Sequence, residues 1–359
     1  LKIYYLVSSF KVSGLTKIIF NTAKELVGKH DITVVEFNCA KDSKYKEELL
    51  SLGVRFLNIN FKGMNFFDGI KKIKRIINAG NPDIVHAHCF RSIIATSFLK
   101  NETKSKIVCT LHSYVPYNYI GEFGVVRAKL YSNILISRAR CFDATVAVSE
   151  SVKDLYLRHN KLTTYAICNG VEILNKKMTC LTNSFDYIYT GSVSERKKVK
   201  ELCLAFKIFT KEHPDKKLAI VGDGPLAHEL KQQFSSENIV FLGRVDDVDS
   251  YLARSKFFIS ASESEGLPNS VMEAMAIGLP CLLSAIPPHQ ELVDSVQSNY
   301  ITVFDYNNVD SIVKTLLQSQ SLDKDVYEEV SYNLKLKIRN KYNTREMAKE
   351  HERLYRKLL

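Results

Sequence analysis

The feature that most constrains this chain is a repeated alternation of a short apolar run, a polar or glycine-bearing turn, and a segment of helical periodicity. The runs at 2–8, 32–37, 54–60, 82–88, 106–111, 143–149 and 164–168 read as strands, the first with a buried-strand pattern. A second series begins at 185–190 and continues at 217–221, 239–242, 256–260 and 280–284, with Val303 in its last strand. Between the two, residues 171–184 are polar and unpatterned, as a linker is. Strands joined through helices pair in parallel with right-handed crossovers, so each series predicts an α/β doubly wound sheet. A length of 359 residues suffices for two such domains. We expect a cleft between them, with ligands at the carboxyl ends of the strands.

Composition narrows the class. Apolar residues at 45% and charged residues at 25% suit a soluble globular protein. No apolar run reaches a membrane span and no signal-peptide pattern opens the chain; it begins at Leu1, which leaves its natural start open. The eight cysteines are scattered without a C-x-x-C pair, so reduced core thiols in a cytoplasmic protein are expected, not a disulfide framework or a zinc site. The net charge of +11 is uneven. Residues 1–165 hold 25 Lys and Arg against 13 Asp and Glu, so the excess belongs to the first half. That half predicts an anionic partner: membrane lipid or a phosphorylated substrate. No nucleic-acid motif is present, so nucleic acid is not expected.

The most informative stretch is 260–280, SASESEGLPNSVMEAMAIGLP. A buried strand ends at Ser260, a turn carries Gly266, a helix starts near Asn269, and Gly278-Leu279-Pro280 stops it. Glu265 and Glu273 bracket the turn, eight positions apart. A glycine turn at a helix N-terminus offers free backbone N–H groups and a positive dipole end, which suit a phosphate. A carboxylate on each side suits sugar hydroxyls. Ordinary βα units with two solvated glutamates share this pattern.

In the first half, Gly14 opens a helix after the first strand, where it admits an anion or merely makes the turn. The G-x-G-x-x-G motif is missing, so no dinucleotide cofactor is indicated. Residues 61–77 form a basic amphipathic helix: Phe66, Phe67, Ile70, Ile73, Ile76 and Ile77 share one face, opposite Lys71, Lys72, Lys74 and Arg75. It either packs on the sheet or lies on an anionic membrane. His86 and His88 share a strand face beside Cys89, but no further ligand has metal-site spacing. His112 ends the KIVCTL strand and is the better functional candidate. Residues 113–140, rich in Tyr and Arg, read as an acceptor-side loop and helix or as core aromatics with a solvated basic face.

These motifs, in this order, resemble the retaining glycosyltransferases of family 4. Glu265 and Glu273 match the family's E-x7-E pair within EGLPNSVMEAMAIGLP. Gly191-Ser192-Val193 with Lys197 matches its G-R-L … K-G segment. VGDGP at 221–225, NGV at 169–171, DIVHAH at 83–88 and the terminal helix bearing Tyr355 also fit. The resemblance covers nearly the whole chain. It implies the GT-B fold: a Rossmann-like acceptor-binding domain at 1–165, a Rossmann-like nucleotide-sugar domain at 166–340, and a helix at 341–359 crossing back to the first.

The resemblance also implies roles. Glu273 accepts from the ribose hydroxyls. Glu265 contacts the donor sugar, supported by the Gly266 and Leu267 backbone. Lys197, with Gly191 and Ser192 beside it, neutralises the diphosphate. Gly14 approaches the donor phosphate, His112 lies near the reacting sugar, and Arg244 and Val245 border the base. Glu265, His112 and Lys197 are thus the catalytic candidates. Two departures stand out: the family's arginine is Ser192, so that either Arg196 or Lys198 compensates or the leaving group departs more slowly, and the glycine after Lys197 is Lys198, which adds charge and changes the turn. The expected reaction moves a hexose or N-acetylhexosamine from a UDP-sugar to a polyprenyl-diphosphate-linked glycan in surface polysaccharide, capsule or O-antigen biosynthesis. It keeps the anomeric configuration and uses no metal or cofactor, with Glu265 orienting the sugar. The expected location is peripheral, on the cytoplasmic membrane face. The alternatives are a GT-B epimerase or phosphorylase-like enzyme, and a non-catalytic partner subunit that binds nucleotide sugar.

Overall fold

The computed structural model describes residues 1–40, 43–61, 64–173, 184–294 and 303–359. Most of the expected linker, 174–183, lies outside them. The chain forms two compact units, 1–170 with 344–359, and 171–343.

The first unit runs β1 (Lys2–Val7), α1 (Gly14–Leu26), β2 (Asp31–Glu36), α2 (Lys44–Ser51), β3 (Arg55–Asn58), α3 (Phe66–Gly80), β4 (Ile84–His88), α4 (Phe90–Ser97) and β5 (Lys106–Leu111). It continues with α5 (Val115–Phe123), α6 (Val125–Ala139), β6 (Ala144–Ala147), α7 (Glu150–Asn160) and β7 (Tyr165–Ala166). Its seven strands are parallel in the order β3-β2-β1-β4-β5-β6-β7. The order reverses between β1 and β4, the switch point where such sheets bind ligands. Helices cover both faces of the central strands, which is why β1, β4 and β5 are almost wholly buried, while the edge strand β3 is mostly exposed. Ile73, Ile93, Ile136 and Tyr156 fill one side, and Ile18, Phe20 and Leu49 the other. Gly14 begins α1 because Ser13 caps it: the Ser13 Oγ accepts from Thr16 N at 3.2 Å, and the Thr16 Oγ1 accepts from Ser13 N at 3.0 Å.

The second unit runs β8 (Phe185–Thr190), a 3₁₀ turn (Glu195–Lys197), α8 (Val199–Phe209), β9 (Leu218–Val221), α9 (Ala227–Phe234), β10 (Ile239–Gly243), α10 (Val248–Ala253) and β11 (Ser255–Ser260). It continues with α11 (Asn269–Ile277), β12 (Cys281–Ser284), α12 (Pro287–Val293), β13 (Val303–Phe304), α13 (Val309–Ser319) and α14 (Lys324–Asn340). The parallel order β10-β9-β8-β11-β12-β13 places its switch point between β8 and β11. Leu202, Leu230 and Ile312 bury one helical layer against Tyr187 and Ile220. The last helix, α15 (Thr344–Leu358), belongs to the first unit, where Met347, Leu354 and Tyr355 enter the core.

The units divide at 170/171 and 343/344, a few residues beyond the expected 165/166 and 340/341. Hydrogen bonds explain the shift. Ile167 N donates to Ala147 O at 2.9 Å and Asn21 Nδ2 to Gly170 O at 3.3 Å, tying 166–170 to the first sheet. Val171 N donates to Tyr342 O at 2.9 Å within the second unit. Helix α3 also differs from expectation. It starts at Phe66, capped by Asn65, and buries Ile73 and Ile77, while Phe67 is 69% exposed. Not all thiols are core either. Cys109, Cys203 and Cys281 are buried, but Cys39 and Cys141 are exposed; Cys180 lies outside the described residues.

Candidate functional site

In the second unit the loops after β8, β9 and β10 are laced backbone to backbone. Gly191 N donates to Val221 O at 2.9 Å, Val193 N to Asp223 O at 3.1 Å, and Gly222 N to Gly243 O at 2.8 Å. The approach at Gly222 is so close that a Cβ there would lie 1.8 Å from the Gly191 carbonyl oxygen. Only glycine fits, and its φ of +136° also lies where glycine is at ease. The VGDGP run is therefore a packing device that holds the strand ends in register.

The chain after Val193 turns through the 3₁₀ segment, and Glu263 N donates to Arg196 O at 3.0 Å, joining that segment to the loop after β11. This join brings charges together at the switch point. Lys197 Nζ pairs with Glu265 Oε1, and Arg196 Nη1 lies 3.3 Å from Glu265 Oε2 while also donating to the Ser264 carbonyl. Burial pushes the Glu265 carboxyl up, but Lys197 and then Arg196 outweigh it and hold the pKa down at about 2. Burial lowers the Lys197 pKa, against the pull of Glu265. Both cations thus converge on one buried carboxylate, ready to share their donors with an arriving anion.

Lys198 points elsewhere. Its ammonium lies 3.2 Å from Glu263 Oε2 and 3.8 Å from Glu201 Oε1. Its backbone is left-handed, φ +52° and ψ +35°, so the turn keeps the conformation a glycine would supply. Ser192 is exposed, and its carbonyl accepts from Tyr189 Oη at 2.7 Å. Gly266 and Leu267 are buried beside Glu265, and Glu273 is half-buried on α11. Arg244 and Val245 follow β10, exposed and half-buried.

One residue escaped the sequence reading. His289, fully buried at the start of α12, donates from Nδ1 to the Ser284 carbonyl at 3.0 Å, and Ser284 Oγ donates to Ser262 O at 2.5 Å. Burial lowers its pKa to about 4, with Glu265 pulling the other way. The chain offers no local sign of it beyond a histidine after two prolines.

The first unit holds the remaining candidates. Gly14 heads α1 and His112 follows β5. His86 is structural: Nδ1 lies 2.6 Å from Tyr355 Oη on α15, and Nε2 lies 2.7 Å from Thr110 Oγ1. His88 Nδ1 lies 3.0 Å from His112 Nε2. Burial, then His351, lowers the His112 pKa to about 3. Among the described residues, no group of three or more His, Cys, Asp or Glu is arranged to hold a metal.

Two family models divide the chain between them: that described as Glycosyltransferase Family 4 matches residues 12–173, and that described as Glycosyl transferases group 1 matches 184–320. An O-antigen biosynthesis glycosyltransferase of Escherichia coli, WclY, is 24% identical over all of this chain and 99% of its own length. The UDP-Gal:alpha-D-GlcNAc-diphosphoundecaprenol alpha-1,3-galactosyltransferase of the same species is 25% identical, over 73% of this chain and 72% of its own. Among solved structures, Anabaena HepE in complex with UDP and glucose aligns with a TM-score of 0.82 at 16% identity, over 99% of both chains. Two doubly wound parallel sheets, with a carboxylate and paired cations at a switch point, define a glycosyltransferase of the GT-B fold. The chain belongs to glycosyltransferase family 4.

Proposed function

We propose that this enzyme moves a hexose or N-acetylhexosamine from a UDP-sugar, with retention and without a metal or cofactor, to a glycan on a polyprenyl diphosphate. The product would belong to a surface polysaccharide such as O-antigen or capsule. The observation that carries the reading is the clasp of Lys197 and Arg196 around Glu265. Breaking a sugar–diphosphate bond builds negative charge on the departing oxygen and positive charge on the sugar ring. Two preorganised cations answer the first, and a carboxylate kept ionised answers the second. The acceptor hydroxyl then attacks on the face the diphosphate leaves, giving its proton to the departing phosphate oxygen, so no side chain forms a bond to the sugar. In the second unit, Glu273 takes the ribose, Gly266 and Leu267 the sugar and diphosphate, and Arg244 and Val245 the base; in the first unit, Gly14 faces a phosphate and His112 a sugar or phosphate oxygen.

The donor class is supported by HepE, solved with UDP and glucose, and the acceptor class by the galactosyltransferase relative, whose name includes a diphosphoundecaprenol. Calorimetry against UDP-, GDP- and ADP-sugars tests the reading. Binding of one UDP-sugar, lost in Glu273→Ala, is expected; a preference for another nucleotide, or binding that survives Glu273→Ala, would overturn it.

A peripheral place on an anionic membrane is part of the same proposal. Among the described residues, no helix is long and apolar enough to cross a bilayer. The support is α6, which exposes Val126, Leu130 and Ile134 at successive i, i+4 positions, Val126 by 83%, with Arg127 and Lys129 exposed beside them. An apolar stripe flanked by cations suits an acidic lipid surface.

A further inference from the structure

The contact between His88 and His112 has only one consistent arrangement of its proton. β4 and β5 are neighbours in register, with His88 opposite Thr110, so the His88 ring meets the chain as it leaves β5. His88 Nδ1 and His112 Nε2 are 3.0 Å apart. Burial keeps both rings neutral, and a contact between two neutral imidazoles uses one N–H. If His112 Nε2 carried that proton, His88 would carry its own on Nε2. That atom is buried and has no hydrogen-bond partner among the described residues. An N–H would be stranded in the interior, which folded proteins avoid more strictly than an unused lone pair. If His88 Nδ1 carries the proton instead, Nε2 is a bare acceptor and no donor is lost.

The ring that makes this choice is firmly held. His86 packs against His88 with centroids 4.2 Å apart, and Tyr5 lies 5.8 Å away. Just beyond His88, Cys89 adopts φ +72° and ψ +156°, a region that residues with a side chain rarely enter, and Ser92 Oγ donates to the His88 carbonyl. Such strain gathers where a chain end must be aimed.

We infer that His88 is a positioning residue that locks His112 in its Nδ1–H tautomer, so that His112 meets its ligand as a neutral hydrogen-bond donor. The ligand atom facing Nδ1 is then an oxygen lone pair, of a sugar or a phosphate. A proton-bearing hydroxyl cannot be deprotonated there, because Nδ1 already holds its proton. His112 is thereby removed from the role of general base, in keeping with a transfer in which the departing phosphate takes the proton. The ligand half of this inference rests on the proposed function; the tautomer itself does not.

Histidine-selective ¹⁵N labelling of the full chain, with long-range ¹H–¹⁵N correlation, reads the tautomer directly, and the loss of one ring's signals in His112→Gln assigns it. We expect a protonated Nδ1 and a bare Nε2 on His112 in the wild type. His88→Asn, whose amide nitrogen replaces the Nδ1 donor, should keep that pattern. His88→Leu should let the Nε2–H form appear and lower sugar-transfer turnover about tenfold, as the loss of one positioned hydrogen bond does. A protonated Nε2 in the wild type overturns the inference, whether or not the Leu variant folds. An unchanged His112 tautomer in His88→Leu overturns the positioning role. The expected tautomer with equal turnover in all three proteins removes the link to the ligand. A wild type with the expected tautomer that binds no nucleotide sugar refutes the proposed function instead.

Discussion

At the residue scale, the question raised by Ser192 is which neighbouring cation replaces the arginine that family members carry there. Both Arg196 and Lys198 are near in sequence, and sequence cannot choose between them. The structure separates them by partner: Arg196 reaches Glu265 and the Ser264 carbonyl, whereas Lys198 is engaged by Glu263 and Glu201. The two side chains are about equally buried, so the difference lies in direction: the guanidinium reaches the site carboxylate, and the ammonium is held away from it by two others. Arg196→Ala should therefore weaken UDP-sugar binding or turnover by roughly ten- to a hundredfold, the range for hydrogen bonds to charged groups. Lys198→Ala should change either by no more than about twofold, because its ammonium is engaged by Glu263 and Glu201 and not by Glu265. Adding Ser192→Arg to Arg196→Ala should recover part of the loss. Steady-state kinetics on the three variants decide it, and equal effects of the two alanine substitutions would remove Arg196 from the clasp.

At the element scale, periodicity tells which residues share a face but not which face is covered. Every strand run read from the sequence has a counterpart; burial on both faces leaves the central strands an apolar signature, whereas the edge strand β3 is mostly exposed. The site loops were also legible, because glycine and paired carboxylates mark a turn at a helix start. Illegible were contacts made at long range, Arg196 to Glu265 and His88 to His112, and so was the burial of His289. Helices α3 and α6 show the same limit. Sequence made α3 the membrane candidate, yet Lys72 donates to the Ile59 carbonyl at 2.8 Å, and Lys71 and Lys74 pair with Asp68 and Glu102. Val126, Leu130 and Ile134, which the sequence did not single out, are exposed on α6. A side chain of this size gains about 1.5–3 kcal/mol when fully removed from water, about tenfold in binding or more, and a nearby cation adds about 1 kcal/mol on an acidic surface. Leu130→Glu with Ile134→Glu should abolish flotation with acidic vesicles at low salt, while Lys71→Ala with Lys74→Ala should leave most of it. The reverse pattern would return the docking surface to α3.

At the scale of the whole molecule, the two units differ in how they carry titratable groups. His86, His88, His112 and His351 are packed in the first unit, and burial lowers all four, His112 to about 3 and His351 to about 4. The unfolded chain takes up protons near the ordinary value of 6.5, so below that pH it binds more protons than the folded unit does. Stability then falls as pH drops from about 6.5 toward the folded values, by at most about 1.4 kcal/mol per pH unit for each histidine. In the second unit His289 acts the same way down to about 4. Glu265 has the opposite window: its pKa is depressed from 4.5 to about 2, so its contribution is whole above 4.5 and lost only as pH falls toward 2. Near pH 5 the first unit should thus have lost more stability, with these four histidines and His30, which burial also lowers, against His289 alone. Urea unfolding at about pH 7.5 and about pH 5, read by limited proteolysis, follows each unit through its own fragments. The urea midpoint for cleavage within residues 1–170 should fall further on acidification than that for the second unit. Equal shifts would mean that the histidine cluster admits protons while folded, and a larger shift in the second unit would place the acid-sensitive charges around Glu265 instead.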